Sequence, residues 1–253
     1  MDIKFKFAQN LIRQAADYVR KRMTEDLQIE EKTRFDDLVT NIDKDTQDFM
    51  VECIQQAYPD DYILGEENGL YHDLQLGHVW VLDPIDGTVN FIAQKRDFAI
   101  MIAYYEEGIG KFGLIYDVTG DKLYSGGGHF EVTCNGRPLL SYQARPLSRQ
   151  LLGANGSMYA NNYLGLADFS KELLGVRVLG SAGISMSRVL EGEFFGYCSS
   201  ISPWDYAAAT IMGKKLGYEL LTMAGEPLDY KNRQAVMFIP QAEVARVKKI
   251  IHK

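Results

Sequence analysis

Cysteine is scarce in this chain, and its placement excludes two constructions. Cys53, Cys134 and Cys198 lie far apart with no Cys-x-x-Cys pair, so neither a disulfide framework nor a thiolate zinc site is expected. Histidine is equally thin. His72, His78, His129 and His252 form no spaced cluster, which turns the search for metal ligands from nitrogen and sulfur to oxygen, the preference of Mg²⁺ or Mn²⁺. Basic charge is also in deficit: 27 Lys and Arg stand against 34 Asp and Glu, a formal net charge of −7, with no dense cationic run. That balance argues against direct nucleic-acid binding. No apolar run approaches the ~18 residues of a membrane span. The opening Met1-Asp2-Ile3-Lys4-Phe5 lacks a signal-peptide pattern, so no membrane association and a cytoplasmic location are expected. G-x-x-x-x-G-K-[ST] and G-x-S-x-G are both missing, and Gly126-Gly127-Gly128 lacks Rossmann spacing and reads as a loop.

What is present describes a globular α/β chain. Of its 253 residues 46% are hydrophobic and 24% charged, enough apolar material for a substantial core. Ile3, Phe7, Leu11, Ala15 and Tyr18 recur at helical spacing over residues 3–22, and a second helix is expected over 43–57, ending before Tyr58-Pro59. Residues 62–64 form a short strand. Strands at 98–105, 110–116 and 122–125 follow one another antiparallel across Gly-containing turns, and Asn135-Gly136 marks a further hairpin. From about residue 150 the pattern alternates, with strands at 150–154, 176–179, 194–198, 218–222 and 235–239 and helices at 161–174, 182–191, 205–216 and 241–252. Pro146, in a polar linker, divides an α+β half (1–145) from an α/β half (146–253).

The most informative stretch runs from Trp80 to Phe91. A buried strand, His78 to Leu82, is expected to stop at Asp83, because Pro84 lacks an N–H and biases the residue before it. Asp83 and Asp86 then bracket the Ile85 carbonyl, Gly87 permits close backbone approach, and Thr88 sits where a helix can begin. Asp near Pro and Gly often merely shapes a turn. Two carboxylates and a carbonyl at one strand end suit a hard cation, however, and the N–H groups of a helix start suit a phosphate. Three other segments are ambiguous alone. Gly65-Glu66-Glu67 leaves a short strand; Glu66 is the better ligand and Glu67 is expected to be exposed. Asp205, after Ser202-Pro203-Trp204, either faces the helix macrodipole or serves as a ligand, and the small run Ala207-Ala208-Ala209 allows that helix to pack closely. Thr40-x-x-Asp43 reads equally as a local cap, and Lys32 alone reads as surface.

Taken together, Asp37-Leu38-Val39-Thr40-x-x-Asp43, Gly65-Glu66-Glu67, Asp83-Pro84-Ile85-Asp86-Gly87-Thr88-Val89-Asn90-Phe91 and Trp204-Asp205-x-Ala207-Ala208 resemble the inositol monophosphatase family, in order and over nearly the whole chain. The resemblance implies a five-layered αβαβα sandwich, often a homodimer, that hydrolyses small phosphorylated polyols or sugars with Mg²⁺. By the same resemblance Glu66, Asp83, the Ile85 carbonyl, Asp86 and Asp205 share two or three Mg²⁺ ions, with Mn²⁺ a possible substitute and Asp43 close by. Glu66 and Thr88 orient and help deprotonate the attacking water. Gly87 and Thr88 hold the phosphate, while Asp86, Gly180, Ser181, Ala182, Cys198 and Asp205 face the substrate.

Inositol-selective relatives commonly carry Glu seven residues before the Trp-Asp aspartate, where this chain has Cys198. A thiol does not accept hydroxyl hydrogen bonds as a carboxylate does, which argues against strict inositol selectivity. Inositol 1-phosphate leads as substrate. Fructose 1,6-bisphosphatase, NADP(H) phosphatase and 3′-phosphoadenosine 5′-phosphate phosphatase are the enzymatic alternatives, and an RNA- or polymerase-associated regulator is the alternative of a different class. The loop Gln94-Lys95-Arg96-Asp97 either is solvated or brings positive charge to an anionic substrate.

Overall fold

The computed structural model describes residues 1–32 and 38–251. Asp37, the first residue of the Asp37-to-Asp43 motif, and His252 lie outside the described residues. Helix α1 (Asp2–Arg22) buries Ala8, Leu11, Ile12, Ala15, Ala16 and Val19, one stripe at steps of three and four. A small ribbon of β1 (Ile29–Glu31) and β2 (Leu38–Thr40) leads into α2 (Asn41–Ala57). The cap reading of Thr40 and Asp43 holds here. Thr40 Oγ1 accepts from the Ile42 N–H at 3.2 Å, while the Thr40 N–H donates to Asp43 Oδ2 at 3.0 Å, a capping box.

A seven-stranded sheet follows, made of β3 (Tyr62–Gly65), β4 (His78–Asp86), β5 (Ala99–Glu106), β6 (Ile109–Asp117), β7 (Lys122–Gly127), β8 (Phe130–Cys134) and β9 (Arg137–Pro138), in chain order. The short α3 (Thr88–Gln94) lies between β4 and β5. Only β3 and β4 are parallel. The second sheet is built from β10 (Leu151–Ala154), β11 (Gly175–Arg177), β12 (Phe194–Ile201), β13 (Tyr218–Thr222) and β14 (Gln234–Pro240), in the spatial order β11-β10-β12-β14-β13. Its helices are α4 (Gly156–Ala160), α5 (Leu166–Ser170), α6 (Ala182–Leu190), α7 (Pro203–Leu216) and α8 (Val244–Ile251).

Three apolar cores separate five layers. One joins α1 and α2 to the outer face of the large sheet through residues such as Ile12, Ile54, Trp80 and Phe112. The middle core packs both sheets around α6 and α7, and the third packs α4, α5 and α8 on the far face of the small sheet. The small-residue run of α7 works as expected. A Cβ added to Gly113 of β6 would lie 2.2 Å from the Ala208 carbonyl oxygen, so helix and sheet touch backbone to backbone.

The local readings need three corrections. Strand β4 does not stop at Asp83: it runs through Pro84 to Asp86, with an irregular register against β5 between Asp83 and Asp86 that absorbs the missing proline N–H. The single helix expected over 161–174 is instead a 3-10 turn at Tyr163–Gly165 followed by the short α5, because Asn162, Leu164 and Gly165 adopt left-handed φ of 46°, 49° and 80°. Gly126 and Gly127 belong to β7 rather than a loop, and each meets neighbouring backbone too closely for a side chain.

Candidate active site

The carboxyl ends of β3 and β4 meet the start of α7. Because β3 runs parallel to β4, both release their chains at one edge, and the Glu66 N–H donates to the Leu82 carbonyl at 3.2 Å. Glu67 is not exposed as the sequence suggested but 4% accessible. The Gln47 side chain clamps its backbone, accepting from the Glu67 N–H at 2.9 Å and donating to the Glu67 carbonyl at 2.6 Å. Its carboxylate joins Glu66 on Lys32, whose Nζ lies 2.9 Å from Glu66 Oε1. Burial works against the Lys32 ammonium, but the two carboxylates more than offset it and hold its pKa above the usual range. Lys32 is therefore no ordinary surface lysine.

Asp83, Asp86 and Asp205 each place an oxygen within 4.8 Å of the others. Asp83 is fully buried, and neither of its oxygens has a hydrogen-bond partner. Burial, then Glu66, Asp86 and Asp205, push its pKa well above the carboxylate range. Asp86 is raised by burial against the opposing bonds from Ser181 Oγ and from the Ala182 and Gly183 N–H groups at 2.9 and 2.8 Å. Asp205 accepts from the Ser202 N–H at 2.6 Å as it caps α7, yet burial, Glu66 and Asp86 lift it to about 8. Three carboxylates so close, one with both oxygens orphaned, form a poor protein interior and a good oxygen-donor set for a hard divalent cation. The residues present fit Mg²⁺.

Beside this cluster, Thr88 Oγ1 lies 3.0 Å from Asp43 Oδ1 and 3.1 Å from the Ile85 carbonyl oxygen. Asp43 is lifted to about 7, chiefly by burial. Gly87 caps α3 with φ of 90°, and a Cβ there would fall 2.9 Å from Cβ of Ser181, so residue 87 must be glycine on both counts.

A cleft of about 280 Å³ opens onto the cluster. It is lined by Glu66, Ile85, Asp86, Gly87, Thr88, Gly180, Ser181, Ala182 and Asp205, among others. Cys198 is the expected substrate-facing residue that the fold does not bring there. A bulge where Leu151 and Leu152 pair with Phe194 and Gly196 resets the alternation of β12, so Cys198 packs in the third core while Tyr197 and Ser199 line the cleft. Burial alone pushes the Cys198 thiol to about 12. The Lys95–Arg96 loop also misses: Lys95 Nζ donates to the Met23 carbonyl at 3.0 Å, and Arg96 pairs with its neighbour Asp97. Among the described residues, the cation lining the cleft is Arg233, which the sequence did not single out. It precedes β14, and the Ile201–Gln234 pairing sets it beside the turn that presents Asp205. No local motif marks it, since only that register makes it a neighbour of the site.

Residues 4–250 match the model of the "Inositol monophosphatase family". Among curated proteins, inositol-1-monophosphatase of Bacillus subtilis is 38% identical over 92% of this chain and 90% of its own length. Fructose-1,6-bisphosphatase/inositol-1-monophosphatase of Thermotoga maritima is 32% identical over 78% of this chain and 76% of its own. Among solved structures, SaIMPase-II with bound 2′-AMP superposes with a TM-score of 0.88 at 30% identity, covering 98% of this chain and 94% of that one. An IMPase/NADP phosphatase complexed with Mg²⁺ and phosphate gives 0.89 at 26% identity, with 97% and 93% covered.

Proposed function

We infer the reaction from one premise: this chain belongs to the inositol monophosphatase family and is a phosphatase of phosphate monoesters. We propose inositol 1-phosphate, or a polyol or sugar phosphate of similar size, as the substrate, hydrolysed by water without a covalent enzyme intermediate. The observation that carries the metal dependence is Asp83, buried with two unpartnered oxygens beside Asp86 and Asp205.

Glu66, Asp83, the Ile85 carbonyl, Asp86 and Asp205 are the proposed ligands of two or three Mg²⁺ ions, with Mn²⁺ as a substitute. When bound, Mg²⁺ neutralises charge on the phosphate oxygens and makes water a competent nucleophile near neutral pH. The rest falls to side chains. An ionised Asp43 accepts the single hydroxyl proton of Thr88, which leaves the Thr88 oxygen free to accept from the attacking water and orient it. Glu66, at the cluster's rim and steadied by Lys32, takes that water's proton. The N–H groups of Gly87 and Thr88 hold the phosphate, an approach that the bare glycine permits. Ser181 and Ala182 fix Asp86 through hydrogen bonds, and Gly180 leaves room at the turn before them. In this proposal residues 1–145 supply most ligands and 146–253 supply Asp205 and the substrate wall, in a cytoplasmic homodimer.

The test is phosphate release from inositol 1-phosphate, fructose 1,6-bisphosphate, NADP and 3′-phosphoadenosine 5′-phosphate under Mg²⁺ titration. Asp83→Asn should abolish turnover while the circular dichroism spectrum stays unchanged. Near-normal turnover in that variant would sink the metal assignment, and sedimentation of a monomer would sink the dimer.

A further inference from the structure

Helix α2 does more than fill the first core. Asp43 and Gln47 stand four residues apart on it, hence on one face, and both are fully buried. Asp43 holds the Thr88 hydroxyl at 3.0 Å. Gln47 holds the other loop of the site. Its amide meets the N–H and the carbonyl of Glu67 at 2.9 and 2.6 Å, much as a neighbouring strand would. One residue further on, Asn68 Nδ2 donates to Asp48 Oδ1 at 2.8 Å, so the chain leaving Glu66 is tied to α2 twice.

The clamp is shaped for its amide, which offers one donor and one acceptor side by side. A Cβ on Gly65 would lie 2.6 Å from Gln47 Oε1, so the end of β3 is bare where the amide lies. On its other side Glu66 is fixed by its own N–H, which donates at 3.2 Å to the carbonyl of Leu82, the residue before Asp83. The loops after β3 and β4 are separate in sequence, yet α2 holds both. It reaches Thr88 through Asp43, and Glu66 through Gln47.

We propose that Gln47 is a positioning residue for the hydrolysis: α2 acts as a ruler that sets the Glu66 carboxylate against the water oriented by Thr88. This rests on the roles given above to Glu66 and Thr88 and adds what fixes their separation. Gln47 does not line the cleft and acts only through the Glu67 backbone. Without the clamp Glu66 shifts relative to Thr88, and a misplacement of about 1 Å is enough to cost about a hundredfold in rate. The phosphate is held elsewhere, at Gly87 and Thr88, so the effect belongs in kcat rather than KM.

The test uses whichever of the four phosphate esters named above the unaltered protein hydrolyses fastest. Both kcat and KM are measured at pH 6.5 with saturating Mg²⁺, and circular dichroism gives the folded fraction of each variant. Gln47→Met keeps the volume and removes both bonds, and should lower kcat about ten- to a hundredfold with KM unchanged. Gly65→Ala crowds the amide without altering it and should act in the same direction. Gln47→Glu should recover most of the activity, because burial keeps the carboxyl protonated and it then offers one donor and one acceptor again. Thr88→Val supplies a readout that a smaller folded fraction would not move. Combined with Gln47→Met, it should lose less than the product of the two single losses, because the spacing matters only while Thr88 holds the water. An unchanged kcat in Gln47→Met overturns the proposal and makes the clamp a support for the loop alone. Losses that simply multiply in the double variant overturn it as well. An unchanged kcat in Thr88→Val defeats the roles assigned above and this proposal with them. No Mg²⁺-dependent release from any of the four by the unaltered protein defeats the choice of substrate before any variant is compared, and the proposal falls with it.

Discussion

Replacing Asp205 by Asn should make the cation-free protein more stable, against the usual direction for a residue that caps a helix. Asp205 is lifted from 3.8 to about 8 by burial and by Glu66 and Asp86. A pKa raised in the folded state brings a penalty that is absent below the ordinary carboxylate value and grows as pH rises towards 8. At pH 7.5 the full shift is worth on the order of 5 kcal/mol. Solvent reaches Asp205, which is only half-buried, so about half of that is a fairer figure. Losing the charge-assisted cap over the Ser202 N–H takes back about 1 kcal/mol. The net gain is about 1–2 kcal/mol, or about 2–8 °C in melting temperature for a chain of this size.

Melting followed by circular dichroism in EDTA at pH 7.5 should show that gain, and at pH 5 it should shrink, because that pH lies only about one unit above the ordinary carboxylate value and keeping the buried group protonated then costs little. Saturating Mg²⁺ should reverse the order. At a hundred times its dissociation constant a ligand adds about 2.7 kcal/mol to the protein that binds it, and the variant lacks one of the proposed Mg²⁺-binding carboxylates. A variant that melts below the unaltered protein in EDTA, or an equal response of both to Mg²⁺, would refute this account and make Asp205 a structural cap.

Other outcomes follow from the same geometry. Because Asp83, Asp86, Asp205 and Asp43 all hold protons more tightly than free carboxylates, Mg²⁺ must displace protons. Its half-saturating concentration should fall by about one to two powers of ten per pH unit between pH 6 and 8, read by calorimetry in buffers of different ionisation enthalpy. Thr88→Val should lower kcat about 10²–10⁴-fold with little change in Mg²⁺ affinity, since it removes the hydroxyl between Asp43 and the water; an unchanged kcat contradicts that role. Cys198→Ser should leave KM unchanged and cost about 1–3 kcal/mol of stability, because it puts a hydroxyl into the third core; an altered KM would mean the side chain reaches the cleft. Gly113→Ala should destabilise by about 1–3 kcal/mol on denaturant titration through collision with the Ala208 carbonyl.

The sequence made the proposed cation centre legible because its candidate ligands sit at the ends of strongly patterned elements, where Pro84, Gly87 and Pro203 punctuate apolar runs. Asp83 and Asp86 needed no tertiary information. Glu66 and Asp205 needed only the rule that a centre of this kind draws on several loops. Residues defined by register stayed hidden. Cys198 follows a bulge that flips the alternation of β12, and a one-residue offset moves a side chain to the opposite face of a sheet. Arg233 acquires its place only when β14 pairs with β12. Glu67 reads as solvated until Gln47, twenty residues earlier, closes over its backbone. Leu164 fails as helix because it and its neighbours adopt left-handed φ, which nothing in their side chains announces.

The backbone contact between Gly113 and Ala208 also bears on how the molecule matures. Strand β6 and helix α7 lie in different halves of the sequence, and their seam has no side-chain padding to tolerate loose docking. Asp205 therefore reaches Asp83 only after that seam has closed, late in a search across more than a hundred residues of chain. Catalytic competence becomes a readout of completed assembly: in a refolding time course, phosphate release should lag behind recovery of helical signal, and by more when position 113 is enlarged.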